Sequence, residues 1–231
     1  MLLNWIFGSD GSNFIGMLVN LLLTIPIILI SLTVHELCHG WMAGKLGDPT
    51  ARNAGRLTLN PLAHLDPIGT LMMFLVGFGW AKPVPVNPNY FKNPKKGMAI
   101  TALAGPVSNF IMAFISYMLF CLISANVDIP YGGNKVSLLY VFVVFLVRFA
   151  YANVTLAVFN MIPVPPLDGS RILLAVLPEK HYFRIMKYER VIYIIFMVFL
   201  IFGNRFGLIS GISQGILNLF GKIADLIPFF H

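Results

Sequence analysis

Charge is what this sequence lacks most. Only 11% of its 231 residues are Asp, Glu, Lys or Arg, where a soluble domain carries roughly a quarter. Such a chain cannot cover a water-facing surface with charged groups. At 58% apolar residues it also cannot be disordered, collagen-like or a coiled coil. Cysteine is scarce too: Cys38 and Cys121 are the only two, which excludes a disulfide scaffold. No basic residue precedes Lys45, so the positive n-region of a secretory signal is missing. Neither an internal repeat nor a low-complexity tract is visible. The net charge of +7 does not point to nucleic acid, because the basic residues lie in loops between apolar runs.

Those apolar runs are what the sequence has in abundance. A helix needs about 20 apolar residues to cross a bilayer. Phe14–Val34 is such a run, expected to continue as helix to about Lys45, with Gly47 and Pro49 as the first stop signals. Gly97–Ser124 and Val136–Asn160 are long helix candidates, and Tyr188–Gly203 is a shorter one. Pro67–Trp80 has 14 residues and suits a re-entrant segment better than a span. Phe206–Ile227 carries Ser210, Gln214, Asn218 and Lys222 at spacing four. That stripe favours an interfacial amphipathic helix, with a last span facing the bundle as the alternative. Thr50–Pro61, with its alternation around Arg56-Leu57-Thr58-Leu59, and Ala81–Asn87, where Pro85 lacks a ladder donor, are expected to be extended and edge-like.

Sidedness follows from the basic residues. Seven of them (Lys45, Arg52, Arg56, Lys82, Lys92, Lys95 and Lys96) lie between the first helix and Gly97. Lys135 stands alone between the second and third long helices. A second rich segment (Arg171, Lys180, Arg184, Lys187 and Arg190) follows Asn160, and the positive-inside rule assigns both to the cytoplasm and the N-terminus to the outside. This requires that Pro67–Trp80 does not cross.

One helix carries concentrated chemistry. His35-Glu36-Leu37-Cys38-His39 reads H-E-x-x-H, a spacing that places two imidazoles on one helix face where they can hold one zinc ion. Glu36 lies about 100° round the helix from His35. Its carboxylate is therefore beside the metal rather than on it, where it can take a proton from an activated water. Ionisable groups at the end of a membrane run are expensive and functional by default. A catalytic zinc takes three protein ligands and keeps one position open. Asp168, just after the proline-broken stretch Asn160–Leu167, is the best candidate for the third. By the charge count it reaches the same membrane depth as His39. His64 and Asp66 are the rivals, more naturally read as shaping a turn and capping the short apolar segment from Pro67.

The order of these motifs resembles the site-2 protease family of intramembrane zinc metalloproteases. H-E-x-x-H is followed by Gly105-Pro106-Val107-Ser108-Asn109, similar to that family's G-x-x-x-N element, and then by Asn160-x-x-Pro163-x-Pro165-x-Leu167-Asp168-Gly169. The likeness covers Ile15–Gly169, without room for the PDZ or CBS domain that many members carry. It implies His35, His39 and Asp168 as ligands of one Zn2+ per chain and Glu36 as general base. It makes Thr50–Asn87 a re-entrant β-loop region that meets the substrate strand. The implied substrates are membrane-spanning segments of regulatory proteins. Fold and organisation are then expected to be an all-α polytopic membrane protein with four to six transmembrane or re-entrant helical segments. A single membrane-embedded domain would run over 1–231, with core 14–169 and C-terminal helices 188–228. It would sit in the cell membrane with its site toward the cytoplasm.

Further polar groups lie in apolar surroundings. Asn109 and Asn160 are candidates to hold a substrate backbone or oxyanion; Asn153 and Asn160 share a helix face, and interhelical hydrogen bonding is the plainer role for all three. Cys38 reads as a small packing residue, and Arg148 as a mid-membrane group paired inside the bundle. A zinc-binding transporter or channel is the competing function. It should show internal repeats and polar groups through both leaflets, and it has no use for a glutamate between the histidines.

Overall fold

The computed structural model describes residues 14–76, 79–128, 137–178 and 206–227, with a few positions between 188 and 198. Among the described residues the architecture is all helical. Helix α1 is Phe14–Lys45 and α2 is the short Thr50–Asn53. They are followed by α3 (Pro67–Val76), α4 (Pro94–Asn126), α5 (Leu138–Asn160), α6 (Asp168–Val176) and α7 (Phe206–Ala224). Three of these, α1 from Asn20 onward, α4 and α5, are long and apolar enough to cross a membrane.

Local chemistry sets the boundaries. Gly47 takes φ +105°, and Asp48 N–H returns to the Ala43 carbonyl while Gly47 N–H returns to Gly44. This is the Schellman closure that glycine permits. An Asn-Pro pair opens three elements. Asn93 caps α4 through Lys96 N–H, and Asn60 and Asn87 cap the 3-10 turns Pro61–Ala63 and Pro88–Tyr90. In each, the asparagine oxygen takes an orphan N–H and proline fills a position that needs no donor. Ser137 caps α5 through Tyr140 N–H. The prolines after Asn160 end that helix, as expected.

Helix α4 is central and packs against α1, α5, α6 and α7. The apolar core lies where Ala113 of α4, Ala150 and Val154 of α5, and Leu217 and Phe220 of α7 meet. Ile209, Ser213, Leu217, Phe220 and Ala224 form the buried face of α7, and Thr155 donates to the Ser213 hydroxyl. The helix therefore packs one face against the bundle, and it is not among the three helices long and apolar enough to cross a membrane. Arg148 donates to the Asn20 side chain on α1. Cys38 and Cys121 are both free.

The segment between α1 and α4 corrects one expectation and sharpens another. Thr50–Asn53 is a helical turn, not extended, because the Asp48 carboxylate accepts from both the Thr50 N–H and its hydroxyl and starts the turn. No strand forms among the described residues; the only pairing is an isolated antiparallel bridge between Leu65 and Ala81. That bridge, with Lys82 N–H on the His64 carbonyl at 2.8 Å, holds the two ends of the 67–80 segment side by side. Helix α3 has 10 residues, about 15 Å at the helical rise and half a hydrocarbon core. Ten helical residues are too few to cross, and the bridge keeps the two ends of the segment together. Of the expected helix Tyr188–Gly203, most lies outside the described residues.

Candidate metal centre

The C-terminal half of α1 runs antiparallel to the N-terminal half of α4. His35 and His39 are four apart on α1; Thr101, Gly105 and Asn109 are four apart on α4. The two stripes face each other. Asn109 Oδ1 sits 2.5 Å from His35 Nδ1, and the Thr101 carbonyl sits 2.8 Å from His39 Nδ1. Gly105 occupies the space between. A Cβ at this position would lie 2.4 Å from His39 Nε2 and 2.6 Å from His35 Cε1, so only glycine fits. The small residue serves the histidines as well as helix packing.

The Nδ1 contacts decide what the other ring nitrogens offer. A carbonyl can only accept, so His39 carries its proton on Nδ1 and a lone pair on Nε2. Both Nε2 atoms point to one spot, 3.0 Å apart. Asp168, at the first turn of α6, brings Oδ2 to 3.2 Å from each. Gly169 permits this approach, since a Cβ there would meet the Met161 carbonyl at 2.2 Å. Asp168 Oδ2 is buried and lacks a well-formed hydrogen bond. Three atoms that can each offer a lone pair converge within 4.8 Å of one another, and in an apolar bundle such a group suits a cation. Two imidazoles and one carboxylate form a donor set that zinc takes. Among the described residues, His35, His39 and Asp168 are the one group of this kind.

Glu36 stands beside the group. Its Oε2 accepts the Val84 N–H at 2.9 Å, tying it to the stretch 82–87. That stretch is held by other bonds as well. Arg56, buried, donates to the carbonyls of Lys82 and Pro83 at 2.7 and 3.1 Å, and Asp48 Oδ2 accepts the Asn87 N–H at 2.7 Å. None of these partners was expected from the sequence.

The other candidates fall elsewhere. His64 is buried, with Nε2 on the Thr58 carbonyl at 2.9 Å, and does not join the group. Asp66 Oδ1 accepts the Gly69 N–H at 2.8 Å, the cap-like role read for it. The Asn160 amide donates to Leu156 of its own helix at 3.0 Å. Asn109 is fully buried, and its whole amide is engaged.

Comparison with known proteins converges on the same chemistry. The profile described as Peptidase family M50 matches residues 23–203. The chain belongs to this family. The M50 protease is 40% identical over 171 residues to YwhC of Bacillus subtilis, whose name designates a zinc metalloprotease; the match covers 74% of this chain and 76% of that one. Similarity to Rip2 of Mycolicibacterium smegmatis is 30% over 146 residues, 61% of this chain and 52% of that protein. The zinc metalloprotease MJ0392 of Methanocaldococcus jannaschii is 27% identical over 155 residues, covering 67% of this chain and 34% of that one. No solved structure matches. The M50 protease is thus a membrane metalloprotease with zinc as its cofactor. The transporter reading is set aside.

Proposed function

We propose that this M50 protease is an intramembrane endopeptidase that hydrolyses peptide bonds in the membrane-spanning segments of other proteins. The observation that carries the reading is the convergence of His35 Nε2, His39 Nε2 and Asp168 Oδ2 inside a bundle of spanning helices. On this reading these three residues hold the zinc and Glu36 is the general base. Bound zinc would polarise the scissile carbonyl and acidify a water. Glu36 would accept the proton of the attacking water and hand it to the leaving amine. Its bond to Val84 fixes the carboxylate relative to the stretch 82–87, whose remaining backbone groups suit an unwound substrate strand lying alongside. Asn160, at the end of α5, remains the candidate to meet the substrate backbone. The resemblance to site-2 proteases makes transmembrane regulatory proteins the substrate class. The charge count puts the site toward the cytoplasmic side of the cell membrane, within a single domain spanning the chain.

The test is cleavage of a transmembrane substrate by the full-length protein in vesicles, with metal analysis. Glu36→Gln should keep zinc near the wild-type level while turnover falls by at least ~10²–10⁴. Near-normal turnover in this variant contradicts the mechanism. For orientation, single cysteines at Lys92 and near Lys135, in a background without Cys38 and Cys121, should react with an impermeant reagent from opposite sides. Labelling from one side overturns the topology.

A further inference from the structure

A chain of buried amides leads away from the metal centre through three helices. His35 Nδ1 donates to Asn109 Oδ1. Asn109 Nδ2 donates to the Ser31 carbonyl at 3.3 Å and to Asn153 Oδ1 at 2.7 Å. Asn153 Nδ2 donates to the Ser31 hydroxyl at 2.8 Å and to the Phe149 carbonyl at 2.9 Å. Asn109 and Asn153 are both 0% exposed.

The direction of every bond is forced. The carbonyls of Ser31 and Phe149 can only accept, so each amide must turn its nitrogen toward them. Asn153 Oδ1 is then left facing Asn109, and Asn109 Oδ1 is left facing His35. Against an acceptor, His35 must carry its proton on Nδ1 and keep its Nε2 lone pair for the metal. His39 obtains the same tautomer from a backbone carbonyl, which no substitution removes. The arm that depends on side chains is therefore His35.

We infer that Asn109, locked in orientation by Asn153 and Ser31, is a positioning residue that fixes the tautomer and ring orientation of His35 and so sets the zinc affinity of the site. The inference rests on the reading that His35, His39 and Asp168 hold the metal. Asn109 and Asn153 are shut off from bulk solvent, so a lost partner is costly there. Without Asn109 Oδ1 the His35 N–H is orphaned, or the proton moves to Nε2 where it competes with the metal. Removing such an outer partner of a metal-bound histidine typically weakens metal binding 10–100-fold.

The experiment is chelator competition for zinc in the purified full-length protein, with the absorption spectrum of the cobalt-substituted form as a second readout. Asn109→Leu keeps the side-chain bulk and removes the acceptor; it should bind zinc about 10–100-fold more weakly and shift the cobalt bands. Asn153→Ala acts one bond further out and should show a smaller loss in the same direction. Ser116→Ala is the packing control, since it also deletes a buried hydrogen bond between α4 and α5, to the Leu146 carbonyl at 2.9 Å. It should leave zinc affinity and spectrum unchanged. Wild-type affinity in Asn109→Leu, or an equal loss in Ser116→Ala, overturns the inference. If Asn109→Leu does not fold, Asn153→Ala decides, and wild-type affinity there overturns it. His35→Ala separates the two levels. Its loss of zinc beside an unaffected Asn109→Leu sinks only the positioning role, whereas retained zinc in His35→Ala removes the metal assignment beneath it.

Discussion

Along one face of α4, Thr101, Gly105 and Asn109 meet the two histidines of α1. Further along the same helix, Ala113, Phe114 and Tyr117 meet Ala150, Val154 and Phe220. The second region is made of small residues and rings in edge contact. Phe220 lies 5.2 Å from Phe110 and 5.1 Å from Phe114, both T-shaped. In lipid such contacts gain from close packing and little from leaving water, so many shapes of similar volume would serve. The first region has no such tolerance. Asn109 Oδ1 and the Thr101 carbonyl each meet one imidazole, and Gly105 leaves room for both rings. The packed half holds the helices in register, and the polar half uses that register to place the two imidazoles.

Four changes would break or sharpen this contrast. Phe220→Ala should give the largest loss of stability, up to the ~3–5 kcal/mol of a soluble core and less where lipid fills the gap. Thermal unfolding in detergent measures it, and zinc content should not change. Arg56→Met releases the carbonyls of Lys82 and Pro83 and should cost about 1.5–3 kcal/mol locally, as charged hydrogen bonds do. Limited proteolysis should then cut the 50–87 region faster, again with zinc retained. Gly105→Ala drives a methyl into the histidines; overpacking of about 1–3 kcal/mol should appear as zinc affinity lowered roughly tenfold or more, with helix content intact. Unchanged affinity would show that the two halves do not differ as described.

The smallest effect concerns pH. Burial alone would raise the Asp48 carboxyl, but hydrogen bonds from the Thr50 hydroxyl, the Asn87 N–H and the Thr50 N–H outweigh it and hold it below its usual range. A depressed folded value stabilises above the unfolded pKa, near 4, and that contribution fades as pH falls below it. Wild-type protein should lose thermal stability between about pH 5 and pH 3. Asp48→Asn should start lower at pH 7 and lose less over that window.

Much of the site was legible because it sits on regular spacing. H-E-x-x-H defines a helix face, and Asp168 follows a proline-broken turn at the matching end of a later span. The mirror of that face was also present, since Thr101, Gly105 and Asn109 repeat the four-residue step of His35 and His39. From the sequence Asn109 reads as a substrate contact or an interhelical hydrogen bond; that it and the Thr101 carbonyl meet the two histidines follows only from the antiparallel pairing of α1 and α4. Other contacts leave no sequence trace. The donor to Glu36 is the backbone of Val84, and the acceptor for His39 is the backbone of Thr101; neither depends on side-chain type. The helical turn at Thr50–Asn53 was missed because Arg56–Leu59 alternation suggested extension, while the deciding group, Asp48, lay just upstream. Pro67–Trp80 reads as re-entrant from its length alone, while the Leu65–Ala81 bridge that brings its ends together is a tertiary feature.

On the proposed reading His35, His39 and Asp168, and no other carboxylate, hold the zinc. Zinc stoichiometry of purified Asp168→Asn and Asp66→Asn in mild detergent tests it most directly. An amide lacks the anionic charge that zinc prefers in a carboxylate ligand. Asp168→Asn should therefore lose its zinc and its activity together, while Asp66→Asn, altered only at the start of α3, should keep a full complement. Retained zinc in Asp168→Asn with loss in Asp66→Asn would contradict the account and move the site to the turn before α3.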